Sequence, residues 1–318
     1  MTTSSKGTKT LIEFPAFMTM DNAQVNILAH VIQGSDDGPN VYVGAATHGN
    51  ELQGVEVCRR LAKDIEPAAL RGKLIVVPLQ NPVAFRHRMR LNPVDGKDLD
   101  KLYPGRDNGT ATERLAYTLY SKLAAAADVV MDLHSGGVGS INIPHIYVPS
   151  IPPKRTKFTS LELGKAFGAD VLIDTNPSID YHFDLEHPSP YFCNVQGSAG
   201  LYVELGEGGR VDEQYVQFAL RGVKNVLRKL EMLSGSVEEQ GRRKVVTRTS
   251  VVRSKSCGIL LRHYELGQEV QKDTPMADVV GVFGGREEIF APSDGIVQWT
   301  VTLGNIDEGQ DIAWLGHN

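Results

Sequence analysis

Cysteine is scarce in this chain. Cys58, Cys193 and Cys257 lie far apart and form no Cys-x-x-Cys pair. Neither a disulfide framework nor a thiolate zinc site is therefore expected. Long apolar runs are missing as well, so no segment is long enough to span a bilayer. The opening Met1-Thr-Thr-Ser-Ser-Lys-Gly-Thr-Lys-Thr10 lacks the apolar centre of a signal peptide. Positive charge is not in excess: 33 Lys and Arg face 38 Asp and Glu, giving a net charge of −5 and a pI near 6.0. That balance argues against nucleic acid or an anionic membrane as partner. No His-Glu-x-x-His occurs, which excludes that protease signature. These absences point to a reducing, cytoplasmic setting.

What remains has the composition of a soluble globular protein, 41% hydrophobic and 22% charged over 318 residues. This length allows one large core and a smaller second domain. Residues 1–10 read as a disordered lead-in and 11–235 as the main domain. Within it, Val25–Ile32, Val41–Thr47, Lys73–Pro78, Asp128–Leu133 and Leu201–Glu204 are strand-like. Asn50 is a candidate N-cap for a helix carried by Leu52, Val55, Cys58 and Leu61. Thr110-Ala-Thr-Glu113 is a capping box opening a helix to about Ala127. Val216, Ala219, Leu220, Val223, Val226, Leu227 and Leu230 form an amphipathic stripe. Alternating strands and helices predict an α/β fold, a mixed central sheet with helices on its faces. The polar stretch 236–248 reads as a linker. Residues 249–318, with short strands broken by Gly, Asp and Pro, read as a small all-β, barrel-like domain.

The chemistry concentrates where strands end, as α/β sheets favour. His48 and Glu51 in Thr47-His-Gly-Asn-Glu51 have the spacing of two metal ligands, and Gly49 clears space beside them. By itself the spacing also fits a strand-end His and a first-turn Glu favouring the helix dipole. His134, closing Met131-Asp-Leu-His134, offers a third ligand, against the alternative of a satisfied core histidine. Asp132 falls on the same strand face and could hydrogen-bond that imidazole. Two histidines and a glutamate leave a fourth zinc position open for water. His145, His182 and His187 fall in Pro-rich loop sequence and could line a pocket. Glu204, at the end of a strand before a Gly-rich turn, could act as general base, with Glu207 a direct competitor. Spacing does not choose between them. Arg86, Arg88 and Arg90 form a cluster suited to an anionic or carbonyl-bearing substrate.

With these residues assembled, most of the chain resembles the succinylglutamate desuccinylase/aspartoacylase family, within the zinc-carboxypeptidase superfamily. Four segments carry the likeness in order. They are Ala45–Glu51, Asn81–Phe85 with Arg90 and Asp95–Gly105, Asp132–His134, and Val203–Gly206. The resemblance implies one Zn2+ on His48, Glu51 and His134, Glu204 rather than Glu207 as the base, and Arg90 polarising the scissile carbonyl. It implies hydrolysis of the amide of a small N-acyl amine or N-acyl amino acid by a zinc-activated water. One departure stands out. The family commonly has Asp-Leu-Asn-Arg where this chain has Asp98-Leu-Asp-Lys101. Lys101 loses the planar fork that grips a carboxylate, and Asp100 replaces a neutral amide with an anion. A substrate with a neutral or cationic group at Asp100 and Lys101 is expected. The C-terminal segments Glu265–Met276 and Ala291–Val297 resemble halves of a biotinyl/lipoyl-like barrel without the Met-Lys of carrier versions. The barrel then reads as a lid or assembly element that could support a homo-oligomer. The alternatives are a metallocarboxypeptidase on short peptides and a non-catalytic binding or carrier protein.

Overall fold

The computed structural model describes residues 5–175, 189–238 and 244–318. Strands and helices alternate through its first two-thirds: β1 (Thr8–Met18), β2 (Gln24–Gln33), β3 (Asp36–Ala45), α1 (Gln53–Asp64), β4 (Arg71–Val77), α2 (Pro82–His87), α3 (Ala111–Thr118), β5 (Val129–His134), β6 (Ser140–Pro149), α4 (Ser160–Phe167), β7 (Val171–Thr175), α5 (Ser189–Val195), β8 (Ala199–Glu207) and α6 (Glu213–Lys229). Short strands follow: β9 (Lys244–Val246), β10 (Arg248–Arg253), β11 (Gly258–Arg262), β12 (Glu269–Val270), β13 (Pro275–Val280), β14 (Arg286–Phe290), β15 (Gly295–Val301), β16 (Asn305–Ile306) and β17 (Asp311–His317).

A large mixed sheet runs β1-β2-β4-β3-β5-β8-β6-β15-β17-β10, with β7, β9 and β12 attached at its flanks. Its centre, β4-β3-β5-β8, is parallel. Every residue of β5 is buried, as a strand covered on both faces requires. One face packs on α1, α4 and α6 through Val57, Leu61, Leu163, Phe167, Val216 and Val223. The apolar stripe expected at 216–230 is the buried side of α6. The other face packs on α2 and α3 through Val83, Leu115 and Leu119. The capping box is present: Thr110 N–H donates to Glu113 Oε2 at 2.9 Å. The helix continues as a π-helical stretch, Leu119–Ala124.

Several boundaries differ from the sequence expectation. Strand β1 starts at Thr8, inside the expected lead-in, because residues 8–18 pair antiparallel with β2. Asn50 does not cap α1; the N-cap is Leu52 and the helix begins at Gln53. The turn formed when Glu51 N–H donates to the His48 carbonyl at 3.1 Å delays its start. The expected linker contains β9, which adds in parallel to β7. The C-terminal strands divide between two sheets. One is a separate antiparallel sheet, β14-β13-β11-β16, while β15, β17 and β10 extend the large sheet beyond β6.

Candidate active site

The ends of β3, β5 and β8 meet at one point. Register places His134 beside Glu204 on the neighbouring strand. After β3, the chain turns through Ala46, which takes the left-handed φ of +52°, and delivers His48 over the sheet. His48 Nδ1 lies 2.7 Å from Glu51 Oε1, and His134 Nδ1 lies 3.0 Å from Glu51 Oε2. The two imidazole Nδ1 atoms are 3.3 Å apart. All three side chains are buried.

Each imidazole has a carboxylate behind it. His48 Nε2 is 3.2 Å from Asp98 Oδ1, a hydrogen bond, whereas His134 Nε2 faces Asp132 Oδ2 at 3.4 Å, a charge contact without hydrogen-bond geometry. Asp132 is fixed in turn. Gln80 Nε2 donates to it at 2.6 Å and Thr47 Oγ1 at 3.2 Å, while Gln80 Oε1 accepts from Tyr42. Gly44 leaves the space Gln80 fills, since a Cβ there would lie 2.6 Å from the Gln80 amide carbon. Tyr202 stacks on His134 with ring centroids 4.0 Å apart, and its hydroxyl donates to Asp100 Oδ2 at 3.0 Å.

The field of the site favours positive charge. Burial works against protonation of His48, yet Glu51 and Asp98 hold it up at about 9. Burial likewise opposes ionisation of Glu51, but His48 and His134 draw its carboxyl well below the usual range. Glu204 is pushed up to about 8 by burial and by the charge of Glu51. Asn142 Nδ2 donates to Glu204 Oε2 at 2.7 Å.

The donor set suits a divalent metal. His48, Glu51 and His134 each present a ligand atom, all within 4.8 Å of one another. Two nitrogens and one carboxylate are the ligand types that zinc takes in open sites.

The profile of the succinylglutamate desuccinylase/aspartoacylase catalytic domain matches residues 37–230, more than half of the chain. The chain belongs to this family. It is 27% identical to N-alpha-acetyl-L-2,4-diaminobutyric acid deacetylase of Halomonas elongata over 284 residues, 87% of this chain and 82% of that protein. A succinylglutamate desuccinylase of Pseudomonas aeruginosa is 25% identical over 70% of this chain and 68% of its own length. Among solved structures, the product-bound ectoine utilization protein EutE of Ruegeria pomeroyi superposes with a TM-score of 0.86. It is 26% identical and aligned over 97% of this chain and 94% of that one. A family member from Rhodobacter sphaeroides has the same fold, with a TM-score of 0.87 at 24% identity over 98% of this chain and 95% of that one.

Within this family site the expected residues fare differently. Arg90, itself half-exposed, reaches it, its Nη1 3.5 Å from Glu51 Oε1 and its Nε 3.4 Å from Asp98 Oδ2. Arg86 and Arg88 are exposed, and Arg88 takes the left-handed φ of +56° that ends α2. Lys101 is exposed, whereas Asp100 is buried and pushed upward by that burial. Glu207 turns elsewhere. At the end of β8, Glu207 accepts from Thr302 Oγ1 at 2.7 Å and from Arg210 at 3.4 Å. His182 and His187 lie outside the described residues. Asp98, Gln80, Asn142 and Tyr202 were not singled out in the sequence. Asp98 alone had a signal, standing in the segment already marked by Asp100 and Lys101.

Proposed function

We propose that the protein is a zinc-dependent deacylase that hydrolyses the amide of a small N-acylated amine or amino acid. The observation that carries this reading is the convergence of His48, Glu51 and His134, with Glu204 in register beside His134 on the adjacent strand. His48, Glu51 and His134 would hold the ion, which when bound supplies Lewis acidity toward a carbonyl oxygen and water. Arg90 faces the same point and is suited to the oxygen that gains negative charge during attack. With the ion in place its positive charge would favour ionised Glu204, which takes a proton from the attacking water and passes it to the departing amine nitrogen, and Asn142 fixes the carboxylate for both transfers. The likeness to a diaminobutyrate deacetylase and to desuccinylases supports the acyl-amide class. Burial of Asp100 against Tyr202, with Lys101 outside, supports a substrate without a carboxylate gripped at this spot.

Metal analysis and a substrate panel test the reading. Stoichiometric zinc is expected, with turnover of N-acetyl or N-succinyl amino acids exceeding that of dipeptides. Glu204→Gln should lower kcat by about 10²–10⁴-fold while metal content stays constant. A metal-free protein whose Glu204→Gln variant matches wild type on every acyl amide would sink the proposal.

A further inference from the structure

His134 presents two ring nitrogens, and the three-ligand centre uses one of them. Its Nδ1 is turned to Glu51 and His48. Its Nε2 is buried without a hydrogen-bond partner. The ring is held in that orientation by Tyr202, stacked on it with centroids 4.0 Å apart and 11° between the planes. What Nε2 faces is a carboxylate oxygen, Asp132 Oδ2, at 3.4 Å.

A second carboxylate closes on the same point. Asp100 is 6% exposed, its Oδ2 accepts from the Tyr202 hydroxyl at 3.0 Å, and its Oδ1 is buried with no partner. One side chain, Tyr202, therefore holds both the imidazole and the Asp100 carboxylate. Asp132 is held as firmly, with Gln80 Nε2 donating at 2.6 Å and Thr47 Oγ1 at 3.2 Å. Asp100, Asp132 and His134 each present one ligand atom, and these three atoms all lie within 4.8 Å of one another. The donors that fix the two carboxylates are neutral. Among the described residues, no lysine or arginine forms an ion pair with either one. Buried carboxylates without a counter-charge are costly, as are buried polar atoms without a partner.

We propose that Asp100, Asp132 and Nε2 of His134 form a second divalent-cation site, which shares His134 with the first. The imidazole then stands between two ions, with Nδ1 toward the ion of His48 and Glu51 and Nε2 toward the other. As the second ion binds, the Nε2 proton leaves to water, and the electron pair that held it forms the new bond. Two carboxylate oxygens and one imidazole nitrogen suit Zn2+, Co2+ or Mn2+. Asp100 decides the matter. An asparagine there, common in the family, would put a neutral amide in place of one of the two anions. The proposal rests on the zinc reading for the first ion and adds a site that reading does not need.

Equilibrium dialysis of the full chain against graded Zn2+, with bound metal counted by elemental analysis, tests the site without turnover. Wild type should saturate at two ions per chain. Asp100→Asn should keep the first and weaken the second by at least about tenfold. Asp100→Ser, a smaller neutral side chain, should do the same and serves if the asparagine variant fails to fold. His48→Ala, which removes a ligand of the first ion, should retain one ion, and adding Asp100→Asn should remove it. Saturation of wild type at one ion would overturn the proposal, and if His48→Ala removes that ion the zinc reading stands. An Asp100→Asn binding curve that superimposes on wild type would also overturn it, since the second ion would then lie elsewhere. Loss of both ions in Asp100→Asn would make Asp100 a support of the first site rather than a ligand of a second. Wild-type protein that binds no Zn2+ at all would defeat the zinc reading as well.

Discussion

His48 and His134 both turn Nδ1 toward Glu51, and His48 Nε2 is hydrogen-bonded to Asp98 behind it. On the zinc reading, Asp98 would support a ligand without being one itself. Asp98→Asn should weaken zinc affinity about 10–100-fold, read by competition with a chromogenic chelator. The same chelator reads a pH dependence. His48 holds its proton up to about 9, and a metal must displace that proton. Apparent affinity should fall about tenfold for each pH unit below that value, for each proton released. A flat profile between about pH 6 and 8 would contradict it. His145 has the opposite shift. Its folded-state value near 4 lies below the ordinary 6.5, so the unfolded chain binds the proton more readily. Its contribution to stability is complete above pH 6.5 and is lost as pH falls toward 4. At 1.36 kcal/mol per pH unit, the loss reaches ~3 kcal/mol. His145→Gln should flatten that part of the stability–pH curve in urea titrations.

Among the elements, the loop from β3 to α1 is the most tightly constrained. A Cβ on Gly49 would lie 2.0 Å from the Ala84 carbonyl carbon and 2.1 Å from the Phe85 nitrogen. The ligand loop thus rests on the backbone of α2, the helix that leads toward Arg90. Gly49→Ala should cost on the order of 2 kcal/mol in stability and lower kcat/KM, because loop and helix must separate. Unchanged melting and activity would show that the contact relaxes freely. The same loop shows what the sequence can and cannot reveal. His48, Glu51 and His134 were legible because strand ends carry their signals locally, as polar residues following β-branched runs. The Asn50 cap was misread because the His48–Glu51 turn, a tertiary choice made over the sheet, takes up the residues a helix start would use. His145 was read as loop because of its prolines. Pro144 instead occupies the register shift between Asn142 and His145, where the pairing with β8 is already interrupted. No local pattern could place His145 beside Glu204. That neighbour relation comes from the antiparallel return of β6 onto β8. Glu204 stands in register with His134 and Glu207 does not, a relation between strands that spacing does not encode.

At the scale of the whole molecule, the C-terminal strands were read as an attached unit, yet their pairings reach the site. Trp299, Thr300 and Val301 of β15 pair with Asn142, Ile141 and Ser140 of β6. Asn142 holds the Glu204 carboxylate, so β15 braces the strand that positions it. Thr302 adds two ties, its N–H to the Gly139 carbonyl at 2.8 Å and its hydroxyl to Glu207 at 2.7 Å. The C-terminal strands have a core of their own, built from Val252, Met276, Val279, Val297, Ile312 and Leu315, so separate melting is physically available to them. Sharing a sheet argues against it, because unfolding β15 would strip hydrogen bonds from β6 and expose its edge. Scanning calorimetry should therefore show one transition with calorimetric and van't Hoff enthalpies in agreement. Thr302→Val, which removes the bond to Glu207, should lower stability by about 1 kcal/mol without splitting that transition. Two resolved transitions in the wild-type protein would mean that β15 pairs with β6 without coupling the halves, and the C-terminal strands would then be a passenger on the catalytic sheet rather than part of its frame.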